Sequence, residues 1–340
     1  MRILIIGPSW VGDAVMAQTL YKRLKKEEPY ANIDVVSPQW SFPIMHRMQE
    51  VSKTIASPYL HGDFQFFSRY RFGKRLKASH YDRAIILTNS LKSSFIPFFA
   101  DIPIRTGWLG EMRYGLINDI RLHKKETDKL IVEKFAALSI QKDNYSLENL
   151  SYPSLDIDVT NQQDLLNKLK INLTLPCLAI CPGAEFGPSK RWPAEYFAEV
   201  AQHYVNMNWN VICLGSENDV STGKKIEAIY KLDNEDKFFN LTGKTSLGDA
   251  IDLLAHCNRV LTNDSGLMHI AAAVKTPLVA LYGPSSPEYT PPLSDNKVIL
   301  RKTDGYEKIR KGKSIHGYHH SLLSIKPAEV VNALDTFNIS

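Results

Sequence analysis

The chain has 340 residues, of which 44% are hydrophobic and 23% charged, which is typical of a globular protein of two domains. It contains no low-complexity tract, no apolar run near the roughly 18 residues of a membrane span, and an apolar start too short for a signal peptide. Residues 1–150 carry 22 Lys/Arg and 15 Asp/Glu, a net charge of +7, whereas the remainder carries −2. We therefore expect a cytoplasmic protein whose basic first half either meets an acidic partner or is simply solvated.

The first half alternates short β-branched runs with amphipathic stretches. Strands are predicted over residues 2–7, 33–36 and 84–88. Helices are predicted over residues 13–28, 66–80, 93–100 and 128–138. This alternation predicts a parallel sheet covered by helices.

The second half repeats the pattern after a polar, irregular region at 141–170. Strands are predicted over residues 178–181, 211–214, 260–262 and 278–282, and helices over 193–207, 247–257, 265–274 and 327–337. The expected domains are residues 1–160 and 161–340, and we leave open whether the last helix packs back on the first domain. The four scattered cysteines are expected to be buried free thiols.

Loops that follow parallel strands are where ligands of such sheets bind. The loop Gly7-Pro8-Ser9-Trp10-Val11-Gly12-Asp13 lacks both the glycines of a dinucleotide-binding fingerprint and the Gly-Lys-Ser/Thr of a Walker A loop. This argues against NAD binding and ATP hydrolysis. Its one carboxylate, Asp13, fits either a catalytic group or a charge that favours the helix dipole.

The loop after the first strand of the second half combines glycine with positive charge. Gly183 allows close approach of the backbone to a ligand. Lys190 and Arg191 could stabilise a departing diphosphate, or they could be an exposed basic pair before a helix.

A further loop joins the strand at 260–262 to the next helix. Free backbone N–H groups at the start of that helix, beside Gly266, form a candidate phosphate site. Helix capping by Asp264 or Ser265 explains the same residues equally well.

These loops resemble those of the ADP-heptose:lipopolysaccharide heptosyltransferases, which form glycosyltransferase family 9. The resemblance covers nearly the whole chain, because it extends to Arg105-Thr106-Gly107-Trp108 and Leu281-Tyr282-Gly283-Pro284-Ser285-Ser286-Pro287. The resemblance implies an α/β GT-B fold, with two Rossmann-like doubly wound domains facing a central cleft. It also implies inverting transfer without a metal or another cofactor. The first two loops are similar to those of members that add the second heptose. The expected reaction therefore moves L-glycero-D-manno-heptose from ADP-heptose to the first heptose of the lipopolysaccharide inner core.

The resemblance also implies roles for individual residues. Asp13 is expected to be the general base, and Lys190 to face the diphosphate as a second catalytic group. The expected donor-binding residues are Gly183, Lys190, Glu217, Asp264, Ser265, Gly266 and His269. Asp219 competes with Glu217 for the ribose, and His269 fits a packed helix histidine equally well.

The expected acceptor is an anionic inner core, Kdo and heptose on lipid A, which would suit the basic half. Candidate contacts are Gly12, Arg69, Arg71, Lys74, Arg75, Lys92 and Arg113. We expect peripheral contact with the cytoplasmic face of the inner membrane and no nucleic-acid partner.

Three histidines, His316, His319 and His320, lie in a Lys/Gly-rich stretch that could suggest a metal site. Without a second cluster of ligands nearby, an exposed loop is favoured. The alternative functions are another ADP-heptose transferase, a non-catalytic sugar-nucleotide binding protein and a nucleotide-binding dehydrogenase.

Overall fold

The structure, a computed structural model, describes residues 1–59, 62–122, 130–139, 150–172, 174–229, 237–305, 309 and 317–338. The chain divides into two compact units, Met1–Pro153 and Ser154–Ser340. The division falls ahead of the expected boundary at residue 160. His316 lies outside the described residues.

The first unit is built on a parallel sheet whose six described strands run in the order β3-β2-β1-β4-β5-β6. The strands are β1 (Arg2–Ile6), β2 (Asn32–Ser37), β3 (Val51–Ala56), β4 (Arg83–Ile86), β5 (Ile104–Trp108) and β6 (Asp119–Arg121). The helices are α1 (Val11–Met16), α2 (Gln18–Glu27), α3 (Phe42–Met45), α4 (Phe66–Lys77), α5 (Leu91–Phe99) and α6 (Ile131–Ala136).

The three predicted strands of this unit are confirmed as β1, β2 and β4, which are apolar and almost wholly buried. The single helix expected over residues 13–28 is instead two helices that meet at Ala17. The sequence analysis missed β3, β5 and β6. β3 lies at an edge of the sheet with partly exposed side chains, and β6 has only three residues, so neither has the apolar pattern of a central strand.

The second unit is built on a parallel sheet of the same size among its described residues, in the order β12-β11-β10-β7-β8-β9. Its strands are β7 (Cys177–Cys181), β8 (Asn210–Cys213), β9 (Phe238–Asn240), β10 (Arg259–Asn263), β11 (Leu278–Tyr282) and β12 (Lys297–Arg301). Its helices are α7 (Val159–Lys168), α8 (Ala194–Asn206), α9 (Val220–Ile229), α10 (Leu247–His256), α11 (Gly266–Ala273), α12 (His320–Leu323) and α13 (Pro327–Asp335).

Part of the region expected to be irregular, residues 141–170, folds as α7. Asp158 caps this helix by accepting a hydrogen bond from the Asn161 amide. The Asn161 side chain then donates to the buried Asp252 of α10 at 2.8 Å, and Gln162 donates to the Asp252 carbonyl at 2.7 Å. Because α7 docks through polar groups, it lacks the apolar periodicity by which helices are predicted.

The last helix, α13, packs against α8 and the strands β10 to β12 of the second sheet. Its Val330 and Leu334 are fully buried in that core. Arg259 of β10 ties down its end by donating to Asp335 Oδ1 at 2.5 Å and to the Phe337 carbonyl at 2.6 Å. These contacts place α13 in the second unit.

The four cysteines are buried free thiols, which confirms the prediction from their spacing. A hydrogen bond between Cys257 and Cys177 raises the pKa of the Cys257 thiol, and burial raises it further. In the described ranges, no helix is long and apolar enough to cross a membrane.

Candidate functional site

A cavity of about 420 Å³ lies in the first unit, at the carboxyl ends of β1 to β5. It is lined by the loops that follow these strands, as expected for a parallel sheet. The polar lining residues include Ser9, Asp13, Ser37, Arg69, Asn89, Ser90, Lys92, Ser93, Glu111 and Lys134.

Asp13 lies on the cavity wall, in the first turn of α1, and is half-buried. It is not the only carboxylate there, because Glu111 also lines the cavity. Glu111 accepts a hydrogen bond from the Leu91 amide at 2.6 Å, at the start of α5. Glu111 therefore has a structural task in capping α5.

Among the expected acceptor contacts, Arg69 and Lys92 line the cavity. Arg69 is buried: its Nε donates to the Phe64 carbonyl at 2.6 Å, and its Nη2 donates to the Asp63 carbonyl at 2.8 Å. Burial lowers the pKa of Arg69, although an arginine stays charged over the whole physiological range. Lys92 is only half-buried, at the start of α5.

Arg113 is almost fully buried and stands behind the cavity. Its guanidinium donates to the carbonyls of Thr88, at 2.8 Å, and of Trp108, and it lies 3.5 Å from Asn89 Oδ1. Arg113 thus holds the loop after β4, whose Thr88 and Asn89 line the cavity. This placement does not support the expectation that Arg113 contacts the acceptor.

The remaining expected acceptor contacts lie off the described cavity lining. Arg71, Lys74 and Arg75 are exposed on α4. Gly12 is half-buried in α1, beside the lining residue Asp13.

In the second unit, β7 pairs directly with β10, so the loops that follow these two strands leave the same edge of the sheet. Lys190 Nζ contacts Asp264 Oδ2 across the two loops, and Asp264 is buried. Asn263 joins the same loops, because its Oδ1 accepts from the Trp192 amide at 3.1 Å and its Nδ2 donates to the Pro182 carbonyl at 2.8 Å. The sequence analysis did not single out Asn263 as the residue that ties the loops together.

Arg191 turns away from Lys190 and faces the buried carboxylate of Asp219 at 3.4 Å. Asp219 also accepts hydrogen bonds from the Ser216 amide and hydroxyl, at 2.9 and 2.8 Å. A Cβ on Gly183 would lie 2.4 Å from Asp219 Oδ2. Gly183 therefore makes room for this carboxylate rather than for a ligand, and Asp219 is committed to the fold, whereas Glu217 is exposed.

The helix α11 begins at Gly266, two residues after Asp264. Ser265 is its N-cap and makes no side-chain cap hydrogen bond in the described part of the chain. Capping by Ser265, one of the two explanations drawn from the sequence, is therefore not what the structure shows. The first amides of α11, at Gly266 and beyond, lack intrahelical acceptors and present a partial positive charge.

His269, one turn into α11, is buried. Burial lowers the pKa of His269 to about 4, although the Asp264 carboxylate raises it. The imidazole is therefore neutral at pH 7, in the environment expected for a packed helix histidine.

Comparison with known proteins agrees with this geometry. Residues 69–319 match the family model of glycosyltransferase family 9 (heptosyltransferase). The chain is 44% identical to lipopolysaccharide heptosyltransferase 2 of Escherichia coli strain K12, over 98% of each chain, and 46% identical to lipooligosaccharide heptosyltransferase 2 of Haemophilus influenzae, over 98% of this chain and 99% of the relative.

The chain belongs to glycosyltransferase family 9. The solved structure of E. coli ADP-heptose lps heptosyltransferase II superposes with a TM-score of 0.91 at 42% identity, and the match covers 99% of this chain and 98% of that one. The expected α/β GT-B fold, built on two Rossmann-like sheets, is confirmed.

Of the three histidines expected in an exposed loop, the two that the structure describes differ in exposure. His319 is buried as the N-cap of α12, where its Nδ1 lies 2.7 Å from Ser321 Oγ, while His320 is exposed. No group of three or more His, Cys, Asp or Glu side chains suited to a metal ion occurs within the described residues.

Several cavity residues of the glycosyltransferase escaped the sequence analysis. Asn89 and Ser90 follow β4, a strand that was predicted, and the rule that loops after strands carry chemistry would have pointed to them. Glu111 follows β5, which was not predicted, so no such signal was available.

We predict that Arg113→Ala lowers the free energy of unfolding by about 1–3 kcal/mol, because buried carbonyl oxygens lose their donor. Lys92→Ala, at the half-exposed cavity wall, should change it by less than about 0.5 kcal/mol. Urea unfolding of both variants tests this difference. Equal losses of stability would contradict the division between a positioning arginine and a cavity lysine.

The buried His269 predicts a pH dependence of stability. An unfolded histidine binds its proton near pH 6.5, whereas His269 in the folded protein does so only near pH 4. The free energy of unfolding should therefore fall as the pH drops through this window, by about 2 kcal/mol between pH 7 and pH 5. Wild type should lose this free energy of unfolding between pH 7 and pH 5, and His269→Gln should not. The control is His203→Gln, a variant of an exposed helix histidine, whose free energy of unfolding should change with pH as that of wild type does. Parallel slopes for wild type and His269→Gln would contradict the assignment.

Proposed function

We propose that this glycosyltransferase transfers L-glycero-D-manno-heptose from ADP-heptose to the first heptose of the lipopolysaccharide inner core, with inversion at the anomeric carbon. The observation that carries the proposal is the position of Asp13 on the wall of a polar cavity, in a chain similar over its full length to heptosyltransferase 2 proteins. The name of the related solved structure includes ADP-heptose, which supports this donor.

The first unit supplies the base. Asp13 takes the proton from the acceptor hydroxyl as that oxygen bonds to the anomeric carbon of the heptose. In the same step the bond from that carbon to the diphosphate oxygen breaks, and ADP leaves with the electron pair. A single displacement of this kind inverts the anomeric centre.

The second unit holds the donor. Lys190 and the first amides of α11 stabilise the charge that develops on the departing diphosphate. Asp264 forms an ion pair with Lys190 in the described structure. Once Lys190 binds the diphosphate, Asp264 accepts hydrogen bonds from sugar hydroxyls, and the exposed Glu217 accepts from the ribose.

The acceptor binds in the first unit. Lys92 and Arg69 place positive charge on the cavity wall, which suits the carboxylates and phosphates of an inner core on lipid A. Because such an acceptor is anchored in lipid, we expect the enzyme in the cytoplasm, in peripheral contact with the inner membrane.

One product analysis tests the reaction. Purified protein is incubated with ADP-heptose and an inner-core acceptor that carries one heptose, and the product is analysed by mass spectrometry. The proposal predicts an increase of one heptose residue and release of ADP. A parallel incubation uses an acceptor without heptose. A product formed only with that acceptor would identify a first-heptose transferase. Binding of ADP-heptose without any product would identify a non-catalytic binding protein.

Asp13→Asn should lower turnover by roughly 100- to 10,000-fold, the range for loss of a general base, while ADP-heptose affinity is retained. The matched control is the other cavity carboxylate: Glu111→Gln can still accept from the Leu91 amide, so its loss of turnover should stay below about tenfold. Steady-state kinetics of the two variants decide between them. A larger loss of turnover in Glu111→Gln than in Asp13→Asn would identify Glu111 as the base.

Lys190→Ala should weaken ADP binding and slow transfer, at a cost of about 2.7–4 kcal/mol in transition-state stabilisation. The variant also leaves the buried Asp264 carboxylate without its lysine, so part of its defect is a loss of stability. Lys190→Ala/Asp264→Asn separates the two effects, because it should recover the melting temperature but not the affinity for ADP, which carries no heptose for Asp264 to bind. ADP affinity and turnover within twofold of wild type in Lys190→Ala would reduce Lys190 to a structural role.

A further inference from the structure

A group of aromatic side chains is exposed to solvent on the first unit, on α4, just before α4 and at the neighbouring end of α5. Phe67 is 77% exposed and Phe64 54% exposed, values that are unusual for phenylalanine. We call the surface formed by Phe64, Phe66, Phe67, Tyr70 and Phe98 the aromatic patch.

The patch is continuous rather than a set of isolated rings. All its members but Phe67 contact the half-buried Phe95 or Phe99 of α5 edge to face, with ring centroids 5.1 Å apart for Phe66 and Phe95 and 5.0 Å apart for Tyr70 and Phe99. The Phe67 ring contacts Phe66, with centroids 5.6 Å apart. Gly73 lets the two helices approach closely, because a Cβ there would lie 2.7 Å from the Ile96 carbonyl oxygen. An exposed apolar surface of this kind marks an interaction site.

Positive charge lies on the same face of α4. One face of α4, with the spacing i, i+3, i+4 and i+7, carries Phe67, Tyr70, Arg71 and Lys74. Lys74 Nζ lies 5.8 Å from the Tyr70 ring centroid. The α4 segment contains no Asp or Glu, and the nearby Asp101 is paired with Lys77 at 2.5 Å, so the face carries a net positive charge.

The aromatic patch borders the cavity that contains Asp13. The Phe64 carbonyl accepts from Arg69, which lines the cavity. Ser93 and Ile96 of α5 line it as well, on the helix that carries Phe95 and Phe98. A ligand anchored in a surface that contacts the patch would therefore lie next to this cavity.

We propose that the aromatic patch and the cations of α4 bind the surface of an anionic lipid bilayer. Aromatic rings and Lys/Arg on one helix face are the combination that enters the boundary between headgroups and acyl chains, where the rings bury and the cations meet phosphate. A second copy of the chain fits less well, because a symmetric contact would bring Arg71 and Lys74 of both copies together. The biological role of this surface, presenting a lipid-linked acceptor to the cavity, rests on the proposed function. The binding itself does not.

Vesicle flotation with neither substrate present tests the proposal. The probes are phosphatidylcholine vesicles with and without phosphatidylglycerol. Wild type should bind the anionic vesicles, and less so as salt is raised, because exposed charges are screened. Arg71→Glu/Lys74→Glu and Phe67→Ser/Phe98→Ser should each weaken binding by at least about tenfold, since a basic residue near an anionic surface contributes roughly fivefold and a buried ring more.

Matched controls replace residues of the same kinds elsewhere. Tyr30→Ser removes a 95% exposed aromatic ring, and Lys26→Glu/Lys224→Glu reverses two exposed lysines on α2 and α9. Both should bind vesicles within about twofold of wild type. Patch variants that bind as wild type does, or wild type that ignores anionic vesicles, would overturn the proposal. So would a concentration-dependent dimer that Phe67→Ser abolishes. An enzyme that forms the heptose product yet fails to float refutes only this proposal, and one that floats yet forms no product refutes only the proposed function.

Discussion

The direct pairing of β7 with β10 is the constraint on which the second unit's chemistry depends. It brings Lys190, which follows β7, onto Asp264, which follows β10, although the two residues are far apart in the chain. Burying the Asp264 carboxylate without a cation would destabilise the folded protein, so the ion pair stabilises it. The same ion pair fixes the position of the lysine. Asn263 locks both loops by bonding to Pro182 and Trp192. A rigid positive charge thus stands beside the start of α11, as departure of a diphosphate requires.

In the first unit, a parallel sheet of the same kind forms a cavity. Its central strands end at one edge and leave a cavity there, and hydrogen bonds to two charged side chains keep the lining loops in place. Arg113 donates to carbonyls of the loop after β4 and of the last residue of β5, and Glu111 caps α5. Arg113 and Glu111 thus support the shape of the cavity, whereas Asp13, Lys92 and Lys134 are half-buried charged groups of its lining.

The central strands, the doubly wound fold and the position of Asp13 could all be predicted from the sequence, because buried parallel strands are apolar and their loops stand out. The partners of charged residues could not. Nothing in the order Lys190-Arg191 shows that the first faces Asp264 and the second faces Asp219, since both carboxylates come from distant loops. Likewise, α7 escaped prediction because it docks through Asn161 and Gln162 rather than through an apolar stripe.

A crystal structure of the protein with ADP tests the central claim most directly, namely that Lys190 and the start of α11 hold the diphosphate. The account predicts the β-phosphate within hydrogen-bonding distance, about 2.7–3.2 Å, of Lys190 Nζ and of the first amides of α11. Lys190 would then be shared with, or withdrawn from, Asp264. ADP bound elsewhere, with the contact between Lys190 and Asp264 unchanged, would contradict the account.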